Sequence, residues 1–411
     1  MRIGLISQWF PPEASFITGN LATGLAGRDH DVRVLTTFPS YPQGRTYPGY
    51  RQRWNDRTVH GGALVRRVPA YPSRDRSAVR RVASYLSFGA SSAAAGVRYL
   101  ARRDVNYVYL SPPTAAVGAV LTRALHRVPY VLHVQDPWPE SVVHSGMVPG
   151  GRAGSVLGSA IASVVRRLYR SAAAIVVISP AMAEMVIAAG ADPARVRVLL
   201  NWTDERLYRP VPRTAAARAE LGHPGRCTVL YAGNIGPVQR LETAVRAAAA
   251  VPDRMDLVLM GSGVAEHAVR RLVDELAAPN VRILPRRPAA AMAGLYAAAD
   301  YLLVCLRDAP GLRGTVPSKL QAALACGAPV IVSAGGDAAK LTRSAGVGFV
   351  CPPEDWRTLA EQFAAAADLP PQARAEMGER ARRTYLERMS LRSGLDQFED
   401  ILAKVAGMGA P

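Results

Sequence analysis

Residues 315–332, TVPSKLQAALACGAPVIV, decide the fold prediction. Pro317 and Ser318 are typical of a helix start, Gly327 is typical of a helix end, and the apolar run after Pro329 indicates a buried strand. A helix start carries free backbone N–H groups and a partial positive charge, which together attract anions. Lys319 adds a full charge there, although only three of the 50 basic residues are lysines. Taken alone, a surface lysine beside an ordinary αβ unit is the simpler interpretation.

Length and composition predict a two-domain α/β protein. The chain has 411 residues, which exceeds one ordinary core, and 49% of them are hydrophobic. The four cysteines lack CxxC spacing, so we interpret them as reduced core residues of a cytoplasmic protein. The chain start shows no signal-peptide pattern, and no apolar run is long enough to span a membrane.

The net charge of +18 is partly clustered. The clusters are Arg66, Arg67, Arg74, Arg76, Arg80 and Arg81, then Arg98, Arg102 and Arg103, and then Arg166, Arg167 and Arg170. Between the first two, a helix is predicted with an apolar side formed by Val79, Val82, Leu86, Ala93, Val97 and Leu100. Such basic amphipathic stretches suit an anionic membrane surface. Nucleic acid is the competing partner, but no recognition motif supports it, so none is predicted.

Short apolar strands alternate with helical patterns along both halves. Strands are predicted at residues 2–7, 32–37, 107–110, 130–135, 175–179 and 196–200, and at 228–232, 257–261, 282–284, 301–306 and 330–333. This alternation predicts doubly wound parallel sheets in two Rossmann-like domains facing a central cleft, with ligands at the carboxyl ends of the strands. We place the domains at residues 1–205 and 206–390, with a helix at 391–411 returning to the first.

Glycines follow two predicted strands of the second half, in the segments GNIGPVQR and GSG. Small residues at a strand end let a ligand approach the backbone, and Arg240 near the next helix start suits a phosphate. Neither segment is specific alone, since a tight turn explains each. Their conjunction with Lys319 predicts a diphosphate site. The candidate binding residues are Gly233, Asn234, Gly236, Arg240, Gly261, Gly263, Arg286, Thr315, Pro317, Ser318 and Lys319.

YAGNIGPVQRLETAV, GSG, AAADYLLVCL and VPSKL…ACGAPVIV resemble, in order and spacing, the retaining GT-B glycosyltransferases of family 4. FPSYPQGRTYPGY, QDPWPES, VVISPAM and NWTDERLYRP are similar to a subgroup that builds surface polysaccharides and includes lipid-linked amino-sugar transferases. The resemblance covers nearly the whole chain. It implies the GT-B fold, a nucleotide-sugar donor held by the second domain, an acceptor held by the first, and no metal or other cofactor.

Carried onto this chain, the family's phosphate-binding basic pair lies at Asn234 and Arg240, so Lys319 is expected to supply the second charge. The donor's base is expected near residues 282–286. Two departures stand out. The family's paired glutamates fall at Gly314 and Ala322, so the ribose contact of the second is lost. The glycine-rich loop after the first strand lacks Gly-Gly, and Thr18 and Gly19 occupy its place as expected acceptor contacts.

The segment after residues 130–135 supplies the candidate acceptor residues His133, Asp136, Trp138 and Glu140. Carboxylates and an aromatic ring suit the hydroxyls and the face of a sugar, and we assign Asp136 and Glu140 to the catalytic group with Arg240 and Lys319. Helix capping is the competing explanation for both carboxylates, and a satisfied core histidine is the competing explanation for His133. The Asp29-His30-Asp31 triplet resembles a metal motif, but turn chemistry explains it better.

The sequence thus predicts a metal-independent, retaining hexosyltransferase. The expected donor is a UDP-sugar, and an amino sugar is one candidate for the sugar that is transferred. The expected acceptor is a polyprenyl-diphosphate-linked or other saccharide in cell-surface polysaccharide assembly. The protein would then work at the inner face of the cell membrane, with its arginine-rich region at 66–103 facing lipid. The alternatives are a transferase for a soluble natural product, a GT-B UDP-sugar epimerase, and a non-catalytic nucleotide-sugar-binding protein.

Overall fold

A computed structural model describes residues 1–13, 15–73, 77–136, 138, 151–223 and 225–408. The chain forms two compact units, one of residues 1–200 with 394–411 and the other of residues 201–393. None of the helices in this described part combines the length and the apolar run needed to cross a bilayer.

The first unit contains an eight-stranded sheet. Its strands are Arg2–Ile6, Asp31–Thr37, Asp56–His60, Ala63–Val68, Val105–Leu110, Tyr130–Val134, Ala174–Val177 and Val196–Val198 (β1–β8). They lie in the order β3-β4-β2-β1-β5-β6-β7-β8. All neighbours are parallel except β3 and β4, which form an antiparallel hairpin at the edge. The central strands are buried on both faces, as a parallel sheet requires.

Helices cover this sheet, and serine side chains cap two of them. They are Phe16–Ala26, Ala78–Tyr99, Val117–His126, Gly151–Ser171 and Pro180–Ala188 (α1–α5). Ser77 accepts from the backbone N–H of Arg80 at the start of α2, and Ser179 accepts from that of Met182 at the start of α5. Each cap satisfies a backbone donor that the helix leaves free.

The second unit contains a six-stranded sheet. Its strands are Cys227–Asn234, Met255–Ser262, Val281–Leu284, Tyr301–Cys305, Val330–Ser333 and Gly348–Cys351 (β9–β14). They are wholly parallel and lie in the order β11-β10-β9-β12-β13-β14. Its helices are Ala215–Leu221, Leu241–Ala249, Glu266–Glu275, Met292–Ala298, Ser318–Ala325, Gly336–Ala345, Trp356–Asp368 and Pro371–Arg388 (α6–α13).

The last helix, Leu391–Met408 (α14), belongs to the first unit from Gly394 onward. Its Phe398 ring packs edge-on against Tyr107 and His133, at centroid distances of 5.4 and 5.0 Å. Glu399 bonds to His30 at 2.8 Å. The histidine of the Asp-His-Asp triplet is therefore engaged in holding a helix against the sheet.

The fold class predicted from the sequence, two doubly wound parallel-sheet α/β domains, is confirmed. The sequence analysis missed β3, β4 and β14. It was also wrong about part of the arginine-rich region. Arg67 and Arg103 are only 4% and 6% exposed, because Arg67 binds the Thr37 carbonyl and Arg103 binds Asp31. Neither side chain faces outward, and Arg74 and Arg76 lie outside the described residues.

Candidate active site

The ends of β9 and β10 approach each other so closely that only glycine fits. In the strand register Gly233 lies opposite Gly261, and a Cβ on Gly261 would overlap the carbonyl oxygen of Gly233. Gly263 is similar, since a Cβ there would overlap the carbonyl oxygen of Ile235. The two glycine segments predicted from the sequence therefore form one continuous backbone surface at the carboxyl edge of the sheet.

Lys319 lies in the first turn of α10 and points onto this surface. Its Nζ would be 2.9 Å from a Cβ on Gly233, and it lies 5.2 Å from the centre of the Tyr231 ring. No carboxylate among the described residues pairs with it. Burial lowers the pKa of this ammonium, and the nearby Cys305 partly opposes that shift. A half-buried cation that no described carboxylate pairs, set against glycine backbone, is a site for an anion.

Arg240 lies at the N-cap of α7 in a left-handed conformation, with φ of 45°. Its Nε–H donates to Glu354, whose other carboxylate oxygen accepts from the backbone N–H of Asp308 at 3.0 Å. These two hydrogen bonds, that from Asp308 first, lower the pKa of Glu354. Glu354 thus joins loops that follow β9, β12 and β14. The two terminal nitrogens of Arg240 have no partner among the described residues, so they remain available to a ligand.

The other predicted donor residues lie around this centre. Asn234 donates to Gln239 at 3.4 Å across the turn that contains Gly236. Arg286 is exposed after β11, the strand beside β10. Thr315, Pro317 and Ser318 form the approach to α10, with Pro317 as its N-cap. Their contact with a donor remains a prediction.

Gly314 and Ala322, where the family has glutamates, are both buried. The sequence analysis missed Glu354, although an acidic residue shortly after an apolar strand-like run was a usable signal.

In the first unit, Asp136 follows β6 and lies close to Ser111 and Trp138. Ser111 donates to the Asp136 carboxylate at 3.1 Å, and the Trp138 indole N–H donates to the Ser111 carbonyl at 2.6 Å. Asp136 keeps an exposed surface, but desolvation by the protein groups around it raises the pKa of its carboxyl group, and the Ser111 hydrogen bond opposes that rise. Glu140, the other predicted carboxylate, lies outside the described residues.

A pocket of about 190 Å³ opens near these residues at the carboxyl edge of the first sheet; it is lined by Gln8, Trp9, Ser40, Tyr41, Ser73, Arg81, Ser84 and Tyr85. Tyr85 packs edge-on against Trp138, at a centroid distance of 6.3 Å. Gln8 is 4% exposed and donates to Ser84, while its Oε1 has no partner among the described residues. Rings, hydroxyls and an arginine make this a candidate sugar pocket. The sequence analysis missed it, because its residues come from four separate segments.

Glu13 shapes the same edge, and the sequence analysis did not single it out. Its carboxylate accepts from the backbone N–H groups of Phe10, Ser40 and Tyr41, at 3.0, 2.7 and 2.8 Å. Burial raises the pKa of Glu13, and these three hydrogen bonds oppose the rise. The loops after β1 and β2 are therefore held together by one buried carboxylate.

The acceptor roles predicted for Thr18 and Gly19 are wrong in this structure. Both residues are buried within α1. The Thr18 hydroxyl donates to the Trp9 carbonyl at 3.2 Å, and a Cβ on Gly19 would lie 2.5 Å from a carbon of Pro11. They support the loop that carries Trp9, and a ligand has no access to either.

The acceptor role predicted for His133 is also wrong. Its ring has no exposed surface, bonds to Tyr107 Oη at 2.5 Å and to Gln135 Nε2 at 2.8 Å, and packs on Phe398. Burial lowers its pKa to about 3. His133 is the satisfied core histidine that the sequence analysis had offered as the alternative.

His133 is expected to make the protein less stable as the pH falls. Its folded pKa lies below the ordinary 6.5, so from pH 6.5 downward the unfolded chain takes up a proton that the folded protein excludes. At pH 5 this costs about 2 kcal/mol of unfolding free energy. Denaturant titrations of the wild type and His133→Gln between pH 7 and pH 5 measure it. Equal pH slopes for the two proteins would contradict the assignment.

Comparison with known proteins divides the chain into the same two parts as the structure does. Residues 14–202 match the model of the glycosyl transferase 4-like domain, and residues 214–384 match that of the glycosyl transferases group 1. The chain belongs to the GT-B glycosyltransferases. The GT-B fold and the glycosyltransferase family expected from the sequence motifs are therefore confirmed, and both matched domains are α/β units whose sheets are parallel apart from the β3–β4 hairpin.

Relatives and solved structures extend the match over the whole chain. The colanic acid biosynthesis glycosyl transferase WcaI of Escherichia coli is 28% identical over 347 residues, which cover 81% of this chain and 83% of the relative. Sucrose-phosphate synthase of Thermosynechococcus elongatus superposes with a TM-score of 0.74 at 20% identity, over 99% of this chain and 100% of that chain. The Anabaena protein HepE in complex with UDP superposes with a TM-score of 0.71 at 17% identity, over 98% and 100%. Both structures share the fold.

Proposed function

We propose that this glycosyltransferase moves a sugar, with retention of anomeric configuration, from a UDP-linked donor to a lipid-linked saccharide in polysaccharide assembly. The observation that carries the proposal is the half-buried ammonium of Lys319, which no described carboxylate pairs and which lies against the glycine backbone of β9. A diphosphate supplies the missing charge, and a glycine-lined strand end lets it come close.

The chemistry proposed for the second unit is electrostatic. As the donor's glycosidic bond breaks, negative charge develops on the departing diphosphate. Lys319, the terminal nitrogens of Arg240 and the free N–H groups at the start of α10 are the groups that would stabilise this charge, and they need little rearrangement to do so. In the retaining mechanism that the family implies, the acceptor attacks from the face that the leaving group vacates, and a diphosphate oxygen takes its proton.

The donor's nucleotide and sugar are the finer part of the proposal. A HepE structure, which shares the fold, was determined with UDP, and this supports UDP as the nucleotide to test first. Gly314 and Ala322 offer no carboxylate to ribose or sugar hydroxyls, so the contacts to those groups must differ from the family's usual ones. We place the base near Arg286, at the end of β11. An amino sugar remains a candidate for the transferred group.

For the acceptor, we propose the carboxyl edge of the first unit. Asp136 can accept a hydrogen bond from a sugar hydroxyl, and its pKa is raised toward neutral pH compared with that of an ordinary aspartate. The neighbouring Trp138 and Tyr85 rings offer faces on which a sugar can stack. The relative named for colanic acid biosynthesis supports a polysaccharide pathway. Exposed Val79, Val82 and Leu86 on α2 suit a lipid surface, which supports a polyprenyl-diphosphate acceptor at the inner membrane face.

A panel of nucleotide sugars tests the donor site. We expect one UDP-sugar to raise the melting temperature and to be slowly hydrolysed. Arg240→Ala should weaken its binding by about 10–100-fold, because a charge-assisted contact to phosphate is lost. Glu354→Gln should have a smaller effect in the same direction, because it removes only the charge that orients Arg240. Arg254→Ala, which removes an arginine elsewhere in the same unit, is the matched control.

Three outcomes would contradict the proposal. Binding without hydrolysis or transfer to any saccharide would indicate a sensor. Conversion of the donor to its epimer without an acceptor would indicate an epimerase. Equal binding by wild type and Arg240→Ala would remove Arg240 from the donor site.

A further inference from the structure

Four arginines surround one pocket on the edge hairpin of the first unit, away from every residue assigned to the donor or the acceptor. The pocket encloses about 490 Å³ and is lined by Arg33, Arg57, Thr58, Leu64, Val65, Arg66, Arg98 and Tyr99. The arginines come from β2, β3, β4 and α2. Since the chain brings them together from four elements, their proximity is a product of the fold and not of a basic run in the sequence.

The arrangement is electrostatically unfavourable in the free protein. Arg57 and Arg66 lie directly opposite each other in the β3–β4 register, and like charges in this position destabilise a sheet. The nearest carboxylate, Asp31, is 3.9 Å from Arg33 and already binds Arg103 at 2.6 Å. No other described carboxylate pairs with the four arginines. Their repulsion is therefore left for a ligand to relieve.

Tyr99 holds two of the four guanidinium groups of the pocket in place. Those of Arg33 and Arg66 lie over its ring at 5.7 and 5.6 Å from the centre, and its hydroxyl donates to the Leu64 carbonyl at 2.9 Å. Apart from a 3.4 Å hydrogen bond from Arg66 to the Trp54 carbonyl, the terminal nitrogens of both arginines have no partner among the described residues. Positioned guanidinium groups with unused donors are suited to phosphate oxygens.

The surroundings of the pocket are apolar and exposed. Val59 and Leu64 face each other on the same hairpin and are 67% and 47% exposed, and Trp54, whose carbonyl accepts from Arg66, is 51% exposed. A free phosphate metabolite or a nucleic acid backbone gives no reason for apolar side chains around the charges. A phospholipid surface does, because its phosphates lie beside acyl chains and Trp favours that boundary.

We propose that the Arg33–Arg57–Arg66–Arg98 pocket binds the phosphate headgroup of an anionic phospholipid and fixes this edge of the first unit on the membrane surface. The membrane contact is then this defined pocket at the β3–β4 edge, and not the whole arginine-rich region at 66–103. Because no donor residue lies in this unit, loss of lipid binding and loss of donor binding are separate results, and either part of the function can fail alone.

Sedimentation of the full chain with vesicles tests the site. Vesicles of phosphatidylcholine mixed with phosphatidylglycerol should bind the protein, and pure phosphatidylcholine should not. Arg57→Gln/Arg66→Gln should weaken binding roughly 25-fold, about fivefold for each basic group removed. Arg271→Gln/Arg392→Gln removes the same charge from exposed positions of the second unit and should bind as the wild type does. Equal weakening by both double variants would overturn the proposal, because it would show a response to net charge alone.

A second measurement separates binding from misfolding. Arg57→Gln alone removes half of the repelling pair, so it should raise the melting temperature of the free protein while weakening vesicle binding. A fall in melting temperature would contradict the repulsion.

Pyrophosphate and a single-stranded DNA are the competing ligands. Arginine-dependent binding of either one, without binding to anionic vesicles, would overturn the assignment to lipid.

Discussion

Replacing Lys319 with alanine is expected to lower the rate of sugar transfer by about 10²–10³-fold, the loss typical of removing one preorganised charge-stabilising group. The variant should fold as well as the wild type, because the change removes a half-buried cation that no described carboxylate pairs and whose charged form desolvation disfavours. Transfer or donor-hydrolysis rates measure the first effect, and a melting curve measures the second. Lys340→Ala is the matched control, since Lys340 is the exposed lysine of the same unit.

The pH dependence gives an independent test of Lys319. Burial lowers its pKa below 10.5, so the free enzyme should lose the ammonium, and with it donor affinity, at a lower pH than an ordinary lysine would. A bound diphosphate favours the charged form and raises the pKa again. The alkaline limb of kcat/KM should therefore lie at lower pH than that of kcat. Lys319→Arg should abolish the limb, because a guanidinium stays charged. An unchanged limb in this variant would exclude Lys319 as its source.

Most strands and glycine turns of the second unit could be predicted from the sequence, because each is indicated by residues close together in the chain. Strand, glycine turn and helix succeed one another within about twenty residues around Gly233 and Gly261, and a parallel sheet brings such strand ends to one edge. Lys319 stood out for a similar reason, since a lysine at a helix start is visible without knowing any distant contact. The structure adds the close approach of Lys319 to Gly233.

Contacts between distant segments were not predictable in this way. Arg240 and Glu354 are 114 residues apart, and their pairing depends on the order of β9, β12 and β14 in the sheet. His133 was expected to be accessible because it lies on the same face of the predicted strand 130–135 as Gln135, but Phe398 of the last helix covers it. Burial in a parallel sheet is decided by what packs on each face, and a strand's own sequence does not state that.

The edge hairpin was missed for a different reason. β3 and β4 contain several polar and charged residues, and β3 is mostly exposed, so they lack the apolar run that identifies a buried strand. The same arginines that hid the strands from a hydrophobicity pattern form the proposed phosphate pocket. A conflict between local pattern and fold is a pointer to function, because a merely structural hairpin gains nothing from placing Arg57 opposite Arg66.

Gly261→Ala is expected to destabilise the second unit by about 3–5 kcal/mol, because it combines overpacking with a backbone φ of 157° that L side chains rarely adopt. The added methyl group would overlap the Gly233 carbonyl oxygen, so one of two paired strand ends must move. A shift of this size corresponds to a fall in melting temperature of roughly 6–20 °C. Gly294→Ala is the matched control: it lies in α9 with open space around its Cβ, and alanine there should be neutral or stabilise by up to about 1 kcal/mol.

The same substitution separates the architecture of the site from its charge. In Gly261→Ala at a temperature where the protein is folded, Gly233 should be displaced while Lys319 and Arg240 remain, so donor binding should weaken without any loss of positive charge. Raising the salt concentration should then affect the variant and the wild type in the same proportion. Wild-type stability together with wild-type donor affinity would show that the β9 and β10 ends can separate freely. The glycine surface would then have no part in holding the diphosphate against Lys319.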